Sequence, residues 1–233
     1  MARVSDILEY VQEQGKLDVI AITDHDEVRG SLEARELAAA RGYRFEVIVG
    51  SEITTLDGHL LALFIEKPIR MLQSLEKTIA AIHDQNGLAI VPHPMSWLTL
   101  SVGQGILLRV MKSASPEIYL DGIELFNPSV AGRVAHRRAR ELNASVLRLP
   151  EVGGSDAHQL QLIGTAYTLF EGKTAEHLKC ALIERTTAAI GEFWTANDHL
   201  QGMAGQQLKS LIIHPSQKIC RAIGSILGQD FQQ

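Results

Sequence analysis

Apolar positions along this chain follow two alternating patterns, one of helical spacing and one of short runs. Val4, Ile7, Leu8 and Val11 share a helical face and predict a helix over Val4–Gln14. Leu17–Thr23 is an apolar run that reads as a buried strand. The Ala-, Glu- and Arg-rich stretch Leu32–Arg41 predicts a helix ending at Gly42. Phe45–Gly50 is the next strand, and the Asp57-Gly58 turn leads into another over His59–Ile65. Leu72–Gln85 is helical and closed by Asn86-Gly87, and Leu88–Val91 is a strand stopped by Pro92. A loop and then a helix occupy Trp97–Ser115. A strand over Gly122–Phe126, a helix over Ala131–Leu142 and a short strand over Glu151–Gly154 follow. Thr165–Phe170, Ala175–Glu184 and Thr187–Ile190 read as strand, helix and strand. This alternation predicts an α/β fold on a parallel sheet or barrel.

After Gly191 the pattern changes. Leu200, Met203, Leu208, Leu211 and Ile212, then Ile219, Ile223, Ile226 and Leu227, predict two amphipathic helices around Pro215. The expected organisation is an α/β domain over residues 1–191 and a C-terminal helical extension over residues 192–233, packed on it.

Composition narrows the class without naming a function. The chain has 233 residues, 45% hydrophobic and 21% charged, which suits one soluble domain with a substantial core. A net charge of −5 argues against a broadly basic nucleic-acid surface. Bound cations would still let an anionic substrate approach. Cys180 and Cys220 lie far apart without metal-motif spacing, as expected of reduced thiols. No apolar stretch is long enough for a membrane span, and no signal-peptide pattern is visible. The expected location is cytoplasmic, with no membrane partner.

The chemistry lies where the predicted strands end. Val19–Ile22 runs into Thr23-Asp24-His25-Asp26, and Val47–Val49 into Gly50-Ser51-Glu52. Leu88–Val91 runs into Pro92-His93-Pro94, and Glu151–Gly154 into Ser155-Asp156-Ala157-His158. Parallel strands that deliver His, Asp and Glu at their C-terminal ends bring them to one mouth. Each residue alone has an ordinary structural explanation. His25 suits a polar loop or cap, Glu52 a turn cap, and His59 a half-buried strand position. His93 suits a rigid turn, and Asp156 and His158 a helix cap. Together they point to a polynuclear metal site. Imidazole and carboxylate are normal ligands of Zn²⁺, Mn²⁺ and Fe²⁺, and a shared carboxylate can hold two cations.

The constellation resembles the PHP (polymerase and histidinol phosphatase) family of metal-dependent phosphoesterases. The matching motifs are Ile22–Asp26, Gly50-Ser51-Glu52 with Gly58-His59-Leu60, Val91–Pro94 and Gly154–His158. Gly122–Pro128 also looks like the family's strand before a helix. The resemblance implies a distorted (β/α)7 TIM-like barrel with two or three divalent ions, Mn, Zn or Fe, with Mg a further candidate. It implies that Glu52 bridges two metals, Asp156 completes the first, His59 and His93 the second, and His25 and His158 serve a third. Asp156 and Glu52 are then the expected catalytic residues. Apart from the resemblance, Arg133, Arg137, Arg138 and Arg140 form a basic helix that reads either as a solvated face or, through Arg133 nearest the strand end, as the expected phosphate ligand. The implied substrate is a small phosphorylated molecule, a nucleotide or an oligonucleotide.

One departure matters. The family's opening strand, Asp-Leu-His-x-His, and its Ser-Asp-Gly loop have no counterpart before Leu17. Either the chain continues upstream or it has lost that strand. Loss would leave open barrel edges, predicting instability, a borrowed strand or a homo-oligomer. It would also favour a rival reading, a PHP-like binding module without catalysis. A further rival is a PHP-type exonuclease. Trp97 is expected in the core or lining the pocket. His83, His136, His177, His199 and His214 are expected in structural or surface roles, and Glu124 behind the ligands.

Overall fold

The computed structural model describes residues 2–195 except 113, 114 and 116. The chain divides into two compact units, Ala2–Phe193 and a unit of Met1 with Trp194–Gln233. The description that follows is of Ala2–Phe193; the expected C-terminal helices, with Cys220, His199 and His214, lie outside the described residues.

Helix α1 spans Val4–Gln14, strand β1 Val19–Ile22, α2 Arg29–Arg41, β2 Glu46–Thr54, β3 His59–Leu63, α3 Leu75–His83 and β4 Leu88–Val91. Then come α4 Gln104–Met111, β5 Gly122–Phe126, α5 Val130–Arg133, α6 His136–Leu142 and β6 Glu151–Gly153. Strand β7, Ala166–Leu169, α7, Ala175–Glu184, and β8, Ala188–Gly191, complete the unit. Local chemistry sets several boundaries. Gly15 and Gly42 take left-handed φ of 66° and 61° after α1 and α2, a conformation that costs glycine little. Ser74 and Thr174 accept the N–H groups of Lys77 and His177 and start α3 and α7.

The six strands β1 to β6 form one sheet in sequential order, and β7 pairs with β8 in a second. β1 runs parallel to β2, β4 to β5 and β5 to β6, but β3 is antiparallel to both of its neighbours. The expected α/β class is observed, as a mixed sheet in which β3 runs against its neighbours; a closed barrel of seven β/α repeats is not seen among the described residues. The reason lies at Thr55–Gly58. Four residues can close a hairpin but cannot carry the crossover that a parallel neighbour needs. Thr55 N–H donates to Gly58 O at 3.2 Å there. β7 and β8, joined by α7, are also antiparallel. The expected helix Ala131–Leu142 divides into α5 and α6.

The largest core cluster joins Ile53, Leu60 and Ala62 of β2 and β3 with Ile79 and Ile82 of α3, Val91 of β4 and Leu107 of α4. A second packs Leu8 and Val11 of α1 on Ala34 and Ala38 of α2 and Val47 of β2. Helices thus hold the sheet in place while its polar strand ends remain together.

Candidate metal centre

Glu52 is the hub. It lies on β2, only 9% exposed, and three imidazoles surround its carboxylate. Oε1 is 2.9 Å from His59 Nδ1 and 3.1 Å from His93 Nε2, and Oε2 is 3.6 Å from His25 Nε2. The ring centroids of His25 and His59 are 4.9 Å apart, and those of His59 and His93 5.7 Å.

Each imidazole arrives by a different local device. His25 follows β1, where backbone pairing with β2 continues past the strand as a single bridge between His25 and Glu52. Glu52 N–H donates to Asp24 O at 3.2 Å and Asp26 N–H to Glu52 O at 2.9 Å. The Asp26 carboxylate accepts Thr54 N–H at 2.7 Å and Thr54 Oγ1 at 2.9 Å, clamping β2. His59 pairs with Thr54 across the β2–β3 hairpin, so it is the diagonal neighbour of Glu52 on the same face. His93 follows β4 with φ of 27°, a left-handed conformation that costs a non-glycine residue energy. It is held there by its N–H to Glu124 Oε2 at 2.6 Å and by Ser101 Oγ donating to its carbonyl at 2.8 Å.

The charges follow from these contacts. Burial disfavours the Glu52 anion, but the imidazoles of His59 and His93 hold its carboxyl well below the ordinary carboxylate range. Burial likewise opposes the charge on His93, yet Glu52 outweighs it and pushes that imidazole up to about 9. Burial lowers His25 below the ordinary histidine value, against the pull of Glu52, which leaves a neutral ring able to act as a ligand. Burial, reinforced by Asp156, raises the Glu124 carboxyl to about 7.

Asp156, with φ of 48°, lies on the loop after β6 and accepts Asn127 Nδ2 at 3.3 Å. Its charge raises the proton affinity of both His25 and His93, so it faces the same cluster. His158 lies beside it, with Nδ1 3.0 Å from Asp156 O and 3.9 Å from its Oδ1. Arg133 closes α5 and places its guanidinium 5.1 Å above the Phe193 ring. His83 is bound elsewhere, between Asp121 and Glu117 O, each at 2.9 Å. Trp97, expected in the core or the pocket, is exposed.

Among the described residues, His25, Glu52 and His59 each offer a ligand atom within 4.8 Å of one another. Ligand bonds of about 2.1 Å in tetrahedral geometry place donors roughly 3.4 Å apart. The 3.6 Å between His25 Nε2 and Glu52 Oε2 matches that spacing. His59 Nδ1 has Glu52 Oε1 beside it at 2.9 Å, whereas Nε2 is buried without a hydrogen bond among the described residues. A buried unsatisfied polar atom costs about 1–3 kcal/mol, which a coordinate bond would offset. The donor set therefore fits a divalent cation.

Of the groups that orient these donors, the sequence places Glu124 behind the ligands, as observed, but does not reveal Asn127, Ser101 or Thr99. Asn127 Nδ2 also donates to Glu124 Oε2 at 3.0 Å, tying Asp156 to the carboxylate that holds His93. Ser101 Oγ is 2.9 Å and Thr99 Oγ1 3.2 Å from His93 Nδ1. Because Ser101 already donates to the His93 carbonyl, its oxygen accepts Nδ1–H, leaving Nε2 facing Glu52. The only sequence signal for Asn127 is its place just past a strand end.

Fold and site together are those of an α/β domain that carries a candidate divalent-metal cluster at its strand ends. A family model described as PHP-associated matches residues 133–187. A protein of Methanocaldococcus jannaschii, designated uncharacterized protein MJ1587, is 36% identical over 146 residues, 63% of this chain and 77% of that protein. The fold is similar to a two-domain protein of Bacteroides vulgatus containing a predicted PHP-like metal-dependent phosphoesterase, with TM-score 0.62 and 19% identity. That likeness covers 82% of this chain, which spans 61% of the two-domain protein. It is also similar to endonuclease Q in complex with a 27-mer duplex carrying an abasic lesion, with TM-score 0.51 and 13% identity over 78% of this chain and 53% of that one. This chain belongs to the PHP family.

Proposed function

We propose that the chain is a metal-dependent phosphoesterase that hydrolyses a phosphomonoester or phosphodiester of a small molecule or nucleotide. The observation that carries this reading is the buried Glu52 carboxylate with imidazoles at both of its oxygens. Divalent ions at such a donor set supply an acidified water and offset charge on phosphoryl oxygens. Glu52 would be the shared ligand, with His25, His59, His93, Asp156 and His158 as further ligands. Asp156, only partly buried, accepts or orients the proton of the attacking water. Arg133, whose guanidinium lies over the Phe193 ring, would steer the phosphate.

The test is metal content and hydrolysis of p-nitrophenyl phosphate and its bis-ester, with Mn²⁺, Zn²⁺ or Fe²⁺ supplied. Glu52→Ala is expected to lose bound metal and turnover together. Full turnover with full metal content in that variant would remove Glu52 from the centre. Likeness in fold to an endonuclease bound to a 27-mer duplex supports a second reading, an oligonucleotide substrate. Faster cleavage of an oligonucleotide than of a mononucleotide would favour it. Less than one metal per chain and no turnover on any ester would favour the non-catalytic module.

A further inference from the structure

Tryptophan carries a large apolar surface and is seldom left in water. Trp97 is 78% exposed. It sits on the loop His93–Val102, closed by Met95 N–H onto Val102 O at 3.1 Å and by Ser101 Oγ onto His93 O at 2.8 Å. His93 and Met95 both take positive φ, 27° and 59°, to bend the chain there. These closures are made without the indole. Leu98 and Leu100 of the same loop are exposed as well, and Leu56, on the β2–β3 turn, is 71% exposed. The two loops are joined. His59 N–H donates to Leu100 O at 2.7 Å, and Gly58 packs directly on the Ser101–Val102 backbone. An apolar rim thus stands on backbone that is hydrogen-bonded to His59 and His93 themselves.

Trp97 is four positions along the chain from His93, at most about 14 Å of chain. Thr99, two residues on, touches the His93 ring through its hydroxyl. From this juxtaposition we infer that Trp97 is a specificity-determining residue that stacks on the planar aromatic group of the substrate, a nucleobase, while its phosphate lies at the Glu52 cluster. The inference rests on the phosphoesterase reading for the phosphate half. Aromatic side chains stack on any base, since every base presents a π-face. The tether decides between occupants. A membrane or protein docking surface needs no fixed distance to a phosphate site, whereas a nucleotide does.

The test compares adenosine 5′-monophosphate with base-less ribose 5-phosphate in wild type, Trp97→Phe and Trp97→Ala. With Mn²⁺ present, Trp97→Ala is expected to lower kcat/KM for the nucleotide about 10- to 100-fold. It should leave ribose 5-phosphate within twofold, and Trp97→Phe should restore most of the loss. Independently of turnover, the nucleotide should quench the indole emission of the wild type but not the remaining Trp194 emission of Trp97→Phe. Equal losses on both phosphates, or quenching that survives in Trp97→Phe, would overturn the assignment. Trp97-dependent binding to phosphatidylcholine vesicles without any response to nucleotide would overturn it in favour of a lipid surface. If no phosphate is hydrolysed by any form, the phosphoesterase reading fails, and the quenching experiment alone decides the stacking role.

Discussion

Replacing Glu52 by glutamine keeps the side-chain shape and removes the charge that organises three imidazoles. The consequence for metal-free protein can be worked from His93. Its rise from 6.5 to about 9 corresponds to roughly 3 kcal/mol of stability. That agrees with the usual cost of breaking a buried pair from one side, about 3–5 kcal/mol. The sign is set by two shifts of one interaction. The raised His93 value means the contribution is complete below 6.5 and is lost as pH rises through about 9. The depressed Glu52 value means it is present above 4.5 and lost as pH falls through the lower folded value. The gap between wild type and Glu52→Gln is therefore widest between those limits and closes toward alkaline pH. After EDTA dialysis, urea unfolding followed by circular dichroism at about pH 6 should give a midpoint roughly 1 M lower for the variant. At about pH 10 the midpoints should nearly coincide. Zn²⁺ at a hundredfold excess over its dissociation constant should then stabilise wild type by about 2.7 kcal/mol and the variant far less. Equal midpoints at pH 6, or a gap that widens toward pH 10, would refute this account of the cluster.

Two further changes probe the scaffold. His83, opposed by burial but held by Asp121, has a raised proton affinity, so its contribution is full below 6.5 and fades as pH climbs through the raised value. His83→Gln should therefore cost more stability near pH 6 than near pH 9 in thermal melts, and a pH-independent difference would contradict the pairing. A Cβ at Gly132 would collide with the Asn127 carbonyl oxygen and Cβ, neither of which can swing away. Gly132→Ala should cost about 1–3 kcal/mol in urea unfolding. By displacing Asn127 it should also weaken Mn²⁺ binding about 10- to 100-fold, as measured by calorimetry.

What the sequence made legible follows from where physical signals are local. Leu88–Val91 and Gly122–Phe126 emerge with the bounds that their apolar runs define, because Pro92 and Asn127-Pro128 end them sharply. Strand β2 was expected to stop at Gly50 but runs to Thr54. Three of its last four residues are polar, and an apolar run cannot reveal that Ser51, Glu52 and Thr54 are buried against Asp24 and Asp26. Helix α2 begins at Arg29 rather than Leu32, because the Glu27 side chain accepts the N–H groups of Val28 and Arg29. The ligand-type residues could be named because strand ends converge. The antiparallel course of β3 was implicit in the Asp57-Gly58 turn, but the expectation of parallel strands overrode it.

The strands carry the donors to one end, but the loops decide which atoms meet. Asp26 is spent clamping β2, so the motif Asp24-His25-Asp26 supplies one imidazole to the cluster rather than three ligands. Ser101 turns His93 so that Nε2 faces Glu52, and Glu124 holds its backbone in a left-handed conformation. These arrangements also explain why the cluster need not collapse without a cation. Charged His93 then pairs with one Glu52 oxygen, Oε1, and offsets the charge of the buried carboxylate. A cation that takes His93 as a ligand would displace that pairing and the His93 proton with it, so its binding would become tighter as pH rises. The contact that protects the site is thus the one with which a metal bound through His93 competes.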